Sequence, residues 1–327
     1  MKSGKISAGF LSLTNHPKRR KGGTVRMNQR VKHFVLAVFL SVLLFIPSGV
    51  LAYSYSSILS FGDSLTDNGP ADGFGIQHFT NGSVWVEYMA SKYHVPLLDM
   101  AYGGATSGID DPAAGYPILG LQWQVNKYLT GLSPIVPSNT LITVWAGAND
   151  LIKGFEVPGQ SVGSPGVAAS NDVLAIQTLA NHGGQYFLVP NLPDIGLTPA
   201  FHGTPYQAFV TGWCQQFNGD LAADLLTLES NPMYANDHFF TLNDYALFNA
   251  VWANPSAYGF TNITQSGNQN PPPGYFFWDG VHPTTQAHLL LAQNAEAAVA
   301  PVPLPPTILL MIPSLVGLAG LRRRLNA

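Results

Sequence analysis

The chain has 327 residues, with 15 Lys/Arg against 18 Asp/Glu, and its formal charge of −3 conceals a strong division along its length. Nine basic residues precede Tyr53 and three close the chain, so the stretch between holds Lys92, Lys127 and Lys153 against all 18 acids, a formal −15. That balance argues against nucleic-acid or anionic-membrane binding by charge for the central part, and a lone Cys214 excludes an internal disulfide and a cysteine-rich metal site.

The amino end has the order of a secretory signal. Basic residues up to Lys32 precede the apolar run Phe34–Ile46, which Pro47, Ser48 and Gly49 break before Val50, Leu51 and Ala52. This predicts a signal peptide over residues 1–52 with cleavage after Ala52. A start at Met27 gives a basic segment of ordinary length, and an uncleaved anchor is the alternative.

Residues 53–300 alternate between strand-like and helix-like patterns, as one α/β domain does. Ile58, Leu59 and Phe61 mark a first strand, which runs into FGDSLTDNG at 61–69. Ser83–Tyr93 is predicted helical with Ser83 as a cap, and Val95–Met100 is a short second strand leading to YGGAT at 102–106. A helix over Leu119–Leu129 follows. Leu141–Ala146 is the third strand and ends in GAND at 147–150, read as a loop. Helix Val167–Ala180, strand Tyr186–Val189, helix Tyr206–Leu228, strand His238–Leu242 and helix Asp244–Ala253 come next. The chain then loosens through Asn254–Pro273 into Trp278 and DGVHPT at 279–284, and a last helix runs to about Val299, with Pro283 suited to its first position. Five strands alternating with helices call for a mostly parallel sheet covered on both faces.

Loops after parallel strands gather at one sheet edge. Ser64, Gly103 and Gly104, Asn149, and Asp279 with His282 therefore converge. Asp279 can accept from the His282 Nδ1–H and leave Nε2 free to take the Ser64 proton. The backbone N–H groups of Ser64 and Gly104 and the Asn149 amide can serve a developing oxyanion. Asp63 and Asp150 read as braces of their loops. Phe74, Phe79, Tyr116, Trp123, Phe276 and Phe277 are candidates for holding an acyl chain, and Trp278 either walls the pocket or packs in the core. His78, His94, His182, His202, His238 and His288 have no metal-ligand spacing and read as surface or loop residues.

These four blocks, in this order, resemble those of the GDSL-type esterase/lipase family, or SGNH hydrolases. Softer matches near 79–90, 189–199 and 242–262 point to its phospholipase/lecithinase/hemolysin-like branch. The resemblance implies a three-layer α/β/α, flavodoxin-like fold and a serine ester hydrolase acting through an acyl-enzyme on a lipid or small acyl ester. Carried over residue by residue, Ser64 is the nucleophile, His282 the base and Asp279 its orienting acid, with Ser64, Gly104 and Asn149 as the oxyanion hole and neither cofactor nor metal. Asp99 departs from the family, which commonly has Asn there. Removal of acetyl groups from an extracellular polysaccharide and a non-catalytic surface protein on the same fold are the alternatives.

At the carboxyl end, a Pro-rich hinge at 301–306, the apolar run Thr307–Leu321 and Arg322–Arg324 resemble a PEP-CTERM sorting signal, with Pro303-Leu304-Pro305 where Pro-Glu-Pro is usual. The apolar run is short for a helix that must cross with about 20 residues. The resemblance implies exosortase processing during export from a Gram-negative cell and a secreted or surface location. A plain membrane anchor over 301–327 is the alternative.

Overall fold

The computed structural model describes residues 54–69, 78–109 and 119–300, all within one compact unit. The expected leader and tail, Phe74 and Tyr116 lie outside the described residues.

Five strands form the main sheet: β1 (Ser57–Gly62), β2 (Leu97–Asp99), β3 (Thr140–Trp145), β4 (Tyr186–Pro190) and β5 (His238–Leu242). Their order is β2-β1-β3-β4-β5 and every pairing is parallel. All six residues of β3 are buried, and so are five of six in β1. A central parallel strand covered on both faces needs that continuous apolar run.

Among the described residues, seven α-helices accompany the strands: α1 (Trp85–Tyr93), α2 (Leu121–Lys127), α3 (Ala148–Glu156), α4 (Pro165–Asn181), α5 (Gln207–Glu229), α6 (Asp244–Ala253) and α7 (Thr285–Val299). Helices α1 and α7 pack on each other, while α2, α4 and α5 pack together against the other side of the sheet. The result is the three-layer, flavodoxin-like arrangement expected from the sequence. Phe61, Trp85, Phe187 and Phe217 fill its core without solvent exposure.

Several local expectations need correction. Ser83 does not cap α1; Val84 does, and the Glu87 carboxylate accepts its N–H at 2.8 Å. Pro283 is not the first residue of α7, which begins at Thr285 after the cap residue Thr284; Pro283 instead forms a β-bridge with Phe277. Helix α2 stops at Lys127 and widens into a π-turn over Tyr128–Leu132. The stretch after β3 is not a loop, because α3 starts at once. Gly147 makes this possible: its φ of +98° is a backbone state that side chains rarely adopt, and the Phe217 ring fills the space a Cβ would need.

The loosened stretch after α6 holds two further strands, β6 (Asn262–Ser266) and β7 (Tyr275–Phe277), paired parallel in a small sheet of their own. Their apolar side closes a satellite core of Val251, Phe260, Ile263 and Ala287 between α6 and α7. Strand connections leave the β1/β3 boundary in opposite directions, toward β2 on one side and β4 on the other. Open α/β sheets carry their sites at such a switch point, beyond the carboxyl ends of the strands.

Candidate active site

Ser64 stands two residues beyond the end of β1, and that end is held rigidly. The Gly62 N–H donates to Gln124 Oε1 at 3.0 Å, and Gln124 Nε2 returns a bond to the Gly62 carbonyl at 2.8 Å. A Cβ on Gly62 would collide with the Trp145 carbonyl of β3, so the close approach of these strands requires glycine. The Thr66 and Asp67 N–H groups both donate to the Asp63 carbonyl at 3.0 Å and close the turn that presents Ser64. Asp63 itself accepts from the Leu65 N–H at 3.0 Å. Burial pushes the Asp63 carboxyl up to about 7, outweighing the Leu65 bond that lowers it.

The Ser64 Oγ lies 2.8 Å from His282 Nε2, and His282 Nδ1 lies 2.8 Å from Asp279 Oδ2. The other carboxylate oxygen, Oδ1, accepts from the backbone N–H groups of Val281 at 2.9 Å and His282 at 2.8 Å. Burial alone would raise the Asp279 carboxyl, but the bond from the His282 ring, its charge and these two N–H donors together hold it below the ordinary value. A carboxylate facing Nδ1–H leaves the Nε2 lone pair for the serine hydroxyl. The loop carrying both residues follows β7 of the small sheet, not a strand of the main sheet. Trp278 N–H donates to the His282 carbonyl at 2.8 Å and draws the loop's two ends together.

Gly104 and Asn149 reach the same place. Gly104 has φ +77°, which glycine adopts without strain. Its N–H and that of Ser64 donate to no acceptor among the described residues. Asn149 lies in the first turn of α3, and its Nδ2 donates to the Ala105 carbonyl at 3.0 Å, which turns the amide toward the glycine loop. Ser64, Gly104, Asn149 and His282 all line one cavity.

Sequence reasoning missed the latches that hold these loops. Asp67 Oδ2 accepts from the Gly103 N–H at 2.7 Å while its Oδ1 accepts from Gly69 at 2.8 Å. Asp99 accepts from Ala101 at 3.0 Å and from Asn68 at 2.9 Å, so the residue that departs from the family pattern ties the glycine loop to the serine loop. Burial raises its carboxyl well above the usual range despite those bonds. Asp150 accepts from the Ser107 N–H at 2.8 Å and hydroxyl at 2.9 Å, the bracing role read from the sequence.

The cavity has a volume of about 240 Å³ and extends from Ser64 toward α6 and α7. Leu247, Phe248, Val251, Phe276, Leu290 and Leu291 supply much of its wall. Of the aromatic candidates, Phe79, Phe276 and Phe277 line it, whereas Trp123 packs on Tyr102, Ala105 and Leu119. Trp278 is half-buried and off the cavity, its ring 6.3 Å from that of His282.

Two histidines differ from expectation. His238 lies in β5 and stacks on Tyr186, and His288 lies fully buried in α7 with neither ring nitrogen hydrogen-bonded among the described residues. An apolar helix face at i, i+3 and i+4 spacing gave His288 its place, and only that periodicity could have revealed it. Burial drops the His288 imidazole to about 3, with the charges of His282 and His78 adding to the effect. Among the described residues no group of three or more His, Cys, Asp or Glu is arranged to hold a metal ion.

Comparison with known proteins gives the family of the chain. The chain is 28% identical over 282 residues to the thermolabile hemolysin of Vibrio parahaemolyticus serotype O3:K6, covering 73% of this chain and 62% of that protein. It is 25% identical over 308 residues to the phosphatidylcholine-sterol acyltransferase of Aeromonas hydrophila, covering 75% of this chain and 90% of that one. Among solved structures, a GDSL-like lipase from Parabacteroides merdae ATCC 43184 superposes with a TM-score of 0.49 at 14% identity, over 75% of this chain and 96% of that one. The chain thus spans about three fifths of the hemolysin's length. The profile of the GDSL-like lipase/acylhydrolase family matches residues 58–295, and the chain belongs to that family.

Proposed function

We propose that this protein is a serine ester hydrolase that cleaves carboxylic esters through an acyl-enzyme. The observation that carries the reading is the unbroken run of hydrogen bonds from Ser64 Oγ through His282 to Asp279, 2.8 Å at each step, at the wall of an apolar cavity. Ser64 Oγ attacks the ester carbonyl as His282 Nε2 takes its proton. The oxyanion that forms accepts hydrogen bonds from the Ser64 and Gly104 N–H groups and from the second Asn149 Nδ2 hydrogen. His282 then gives its proton to the departing alcohol, which leaves with the carbonyl–oxygen bond pair. In the second half, His282 takes a proton from water, the hydroxide oxygen bonds to the acyl carbon, and Ser64 leaves with that proton. Asp279 stays ionised throughout and holds the imidazole in one orientation.

The depth and apolar lining of the cavity favour an acyl chain longer than acetyl, and so favour a lipid-like or medium-chain ester over acetyl groups on a polysaccharide. A chain-length series of 4-nitrophenyl esters, run on wild type and Ser64→Ala, tests the reading. Cleavage that peaks beyond acetyl and vanishes in Ser64→Ala is the expected result; activity retained in Ser64→Ala would sink it.

The basic-then-apolar amino end and the Pro-rich, apolar and Arg-ended tail support export from a Gram-negative cell, with exosortase cleavage of the tail. Mass spectrometry of the exported protein tests this: a carboxyl terminus at Ala327 would exclude tail removal.

A further inference from the structure

Of the carboxylates that line the cavity, Asp63 accepts from the Leu65 N–H and Glu156 is exposed to solvent, but Asp244 is both buried and, among the described residues, without a partner. Asp244 lines it beside Leu247, Phe248 and Val251, yet is only 8% exposed. Its carboxyl accepts no hydrogen bond among the described residues, and burial alone raises it to about 7. A helix-terminal acid often serves the helix it begins, but here that task is already filled. The Asn243 side chain caps α6 by accepting from the Ala246 N–H at 3.0 Å, and Tyr245 N–H donates to Asn191 at 2.9 Å. An unpaired carboxyl facing an apolar cavity costs free energy unless something entering that cavity bonds to it.

The position of Asp244 says where on the substrate the partner must lie. Ser64 is two residues past the end of β1, and Asp244 is two residues past the end of β5. In the order β2-β1-β3-β4-β5 those two strands are three spacings apart, about 14 Å at the usual strand separation. The group that meets Asp244 is therefore far along the acyl chain from the reacting carbonyl. A hydroxyl suits this place better than an ammonium, because it sheds far less hydration on entering an apolar cavity. It can also donate to the carboxylate or accept from the carboxylic acid, and so serves both states of a group that titrates near neutrality.

Resting on the hydrolase reading above, we infer that Asp244 is a specificity-determining residue that selects esters whose acyl chain carries a hydroxyl near its far end. The chain lies along Leu247, Val251 and Leu291, and the terminal hydroxyl takes the place left unpaired beside Asp244.

The test compares kcat/KM for 4-nitrophenyl esters of dodecanoate, 12-hydroxydodecanoate and 3-hydroxydodecanoate. Wild type is expected to prefer the 12-hydroxy ester over the plain ester by about tenfold or more, the effect of one hydrogen bond to a charged group. The 3-hydroxy ester, with its hydroxyl beside the carbonyl, is expected to gain nothing. In Asp244→Leu the ratio of 12-hydroxy to plain ester should fall to one or below, while Asp244→Asn should keep a ratio above one. A wild-type ratio of one or less overturns the inference without recourse to any variant, and so does an undiminished ratio in Asp244→Leu or an equal gain for the 3-hydroxy ester. If wild type cleaves plain esters in a Ser64-dependent way but shows no preference, this inference alone fails. If it cleaves no ester, the hydrolase reading fails and takes the inference with it.

Discussion

The Phe79 ring lies 5.1 Å from the His282 imidazole, tilted 32° from parallel, and its edge fills the space that a side chain on Gly103 would need. Gly103 thus acts on the base through an aromatic spacer. Gly103→Ala is expected to push Phe79 toward His282 and lengthen the Ser64–His282 bond. Misplacement of about 1 Å can cost up to 10²-fold in rate, so kcat should fall by about 10–100-fold with KM little changed. Adding Phe79→Leu should recover part of the loss; a double variant no better than Gly103→Ala would refute the spacer.

Asp279 holds His282 through a ring bond and holds the loop through two backbone N–H bonds. Asp279→Asn keeps an acceptor for the N–H groups but offers the ring the wrong partner. Its kcat is expected to fall by about 10⁴, against about 10⁶ for Ser64→Ala or His282→Ala. Steady-state kinetics on a single ester would check the ranking, and equal losses would argue against a purely orienting acid.

For Asn149, one amide hydrogen is committed to the Ala105 carbonyl, leaving the other for the oxyanion. Removing such a donor costs about 10²–10³ in kcat. Asn149→Ala should show this loss with a nearly constant KM. A matching fall in thermal stability large enough to explain the loss would instead mark a structural role.

His288 and Asp63 bend the stability curve in opposite directions. Burial lowers the folded His288 to about 3, so between pH 3 and 6.5 the unfolded chain binds the extra proton and stability is lost as pH falls. At pH 5 this amounts to about 2 kcal/mol. His288→Leu removes that penalty and should raise Tm more at pH 5 than at pH 8, as thermal melts at the two pH values would show.

Asp63 is raised to about 7 in the fold, so there the folded chain binds the extra proton and stability falls as pH rises from about 4 to 7. Asp63→Asn should gain on wild type across that window and hold a constant difference above it. A constant difference across the whole range, read by denaturant unfolding, would mean Asp63 does not titrate there.

The five main-sheet strands and the four chemical blocks were legible because each has a local signature. Leu141–Ala146 is an apolar run of strand length, and Ser64, Gly104, Asn149, Asp279 and His282 sit in short recognisable patterns. What escaped was non-local. GAND reads as a loop by composition, and only the left-handed Gly147, packed under Phe217, lets α3 begin there. Asp67, Asp99 and Gln124 hold the site by accepting from or donating to backbone atoms 31 to 62 positions away, which leaves no periodic trace. Strands β6 and β7 hid in a stretch rich in Asn, Gly and Pro, where pairing comes from the satellite core instead of from propensity.

The loop from Trp278 to Pro283 is closed on itself, by Trp278 N–H on the His282 carbonyl, the two N–H bonds to Asp279 and the Phe277–Pro283 bridge. Acid and base consequently travel as a cassette. A distant change that tips α7 or the small sheet would carry both together, altering their reach to Ser64 but not their grip on one another. Damage of that kind would scale the rate while preserving the shape of the pH–rate curve. Damage inside the cassette would distort that shape.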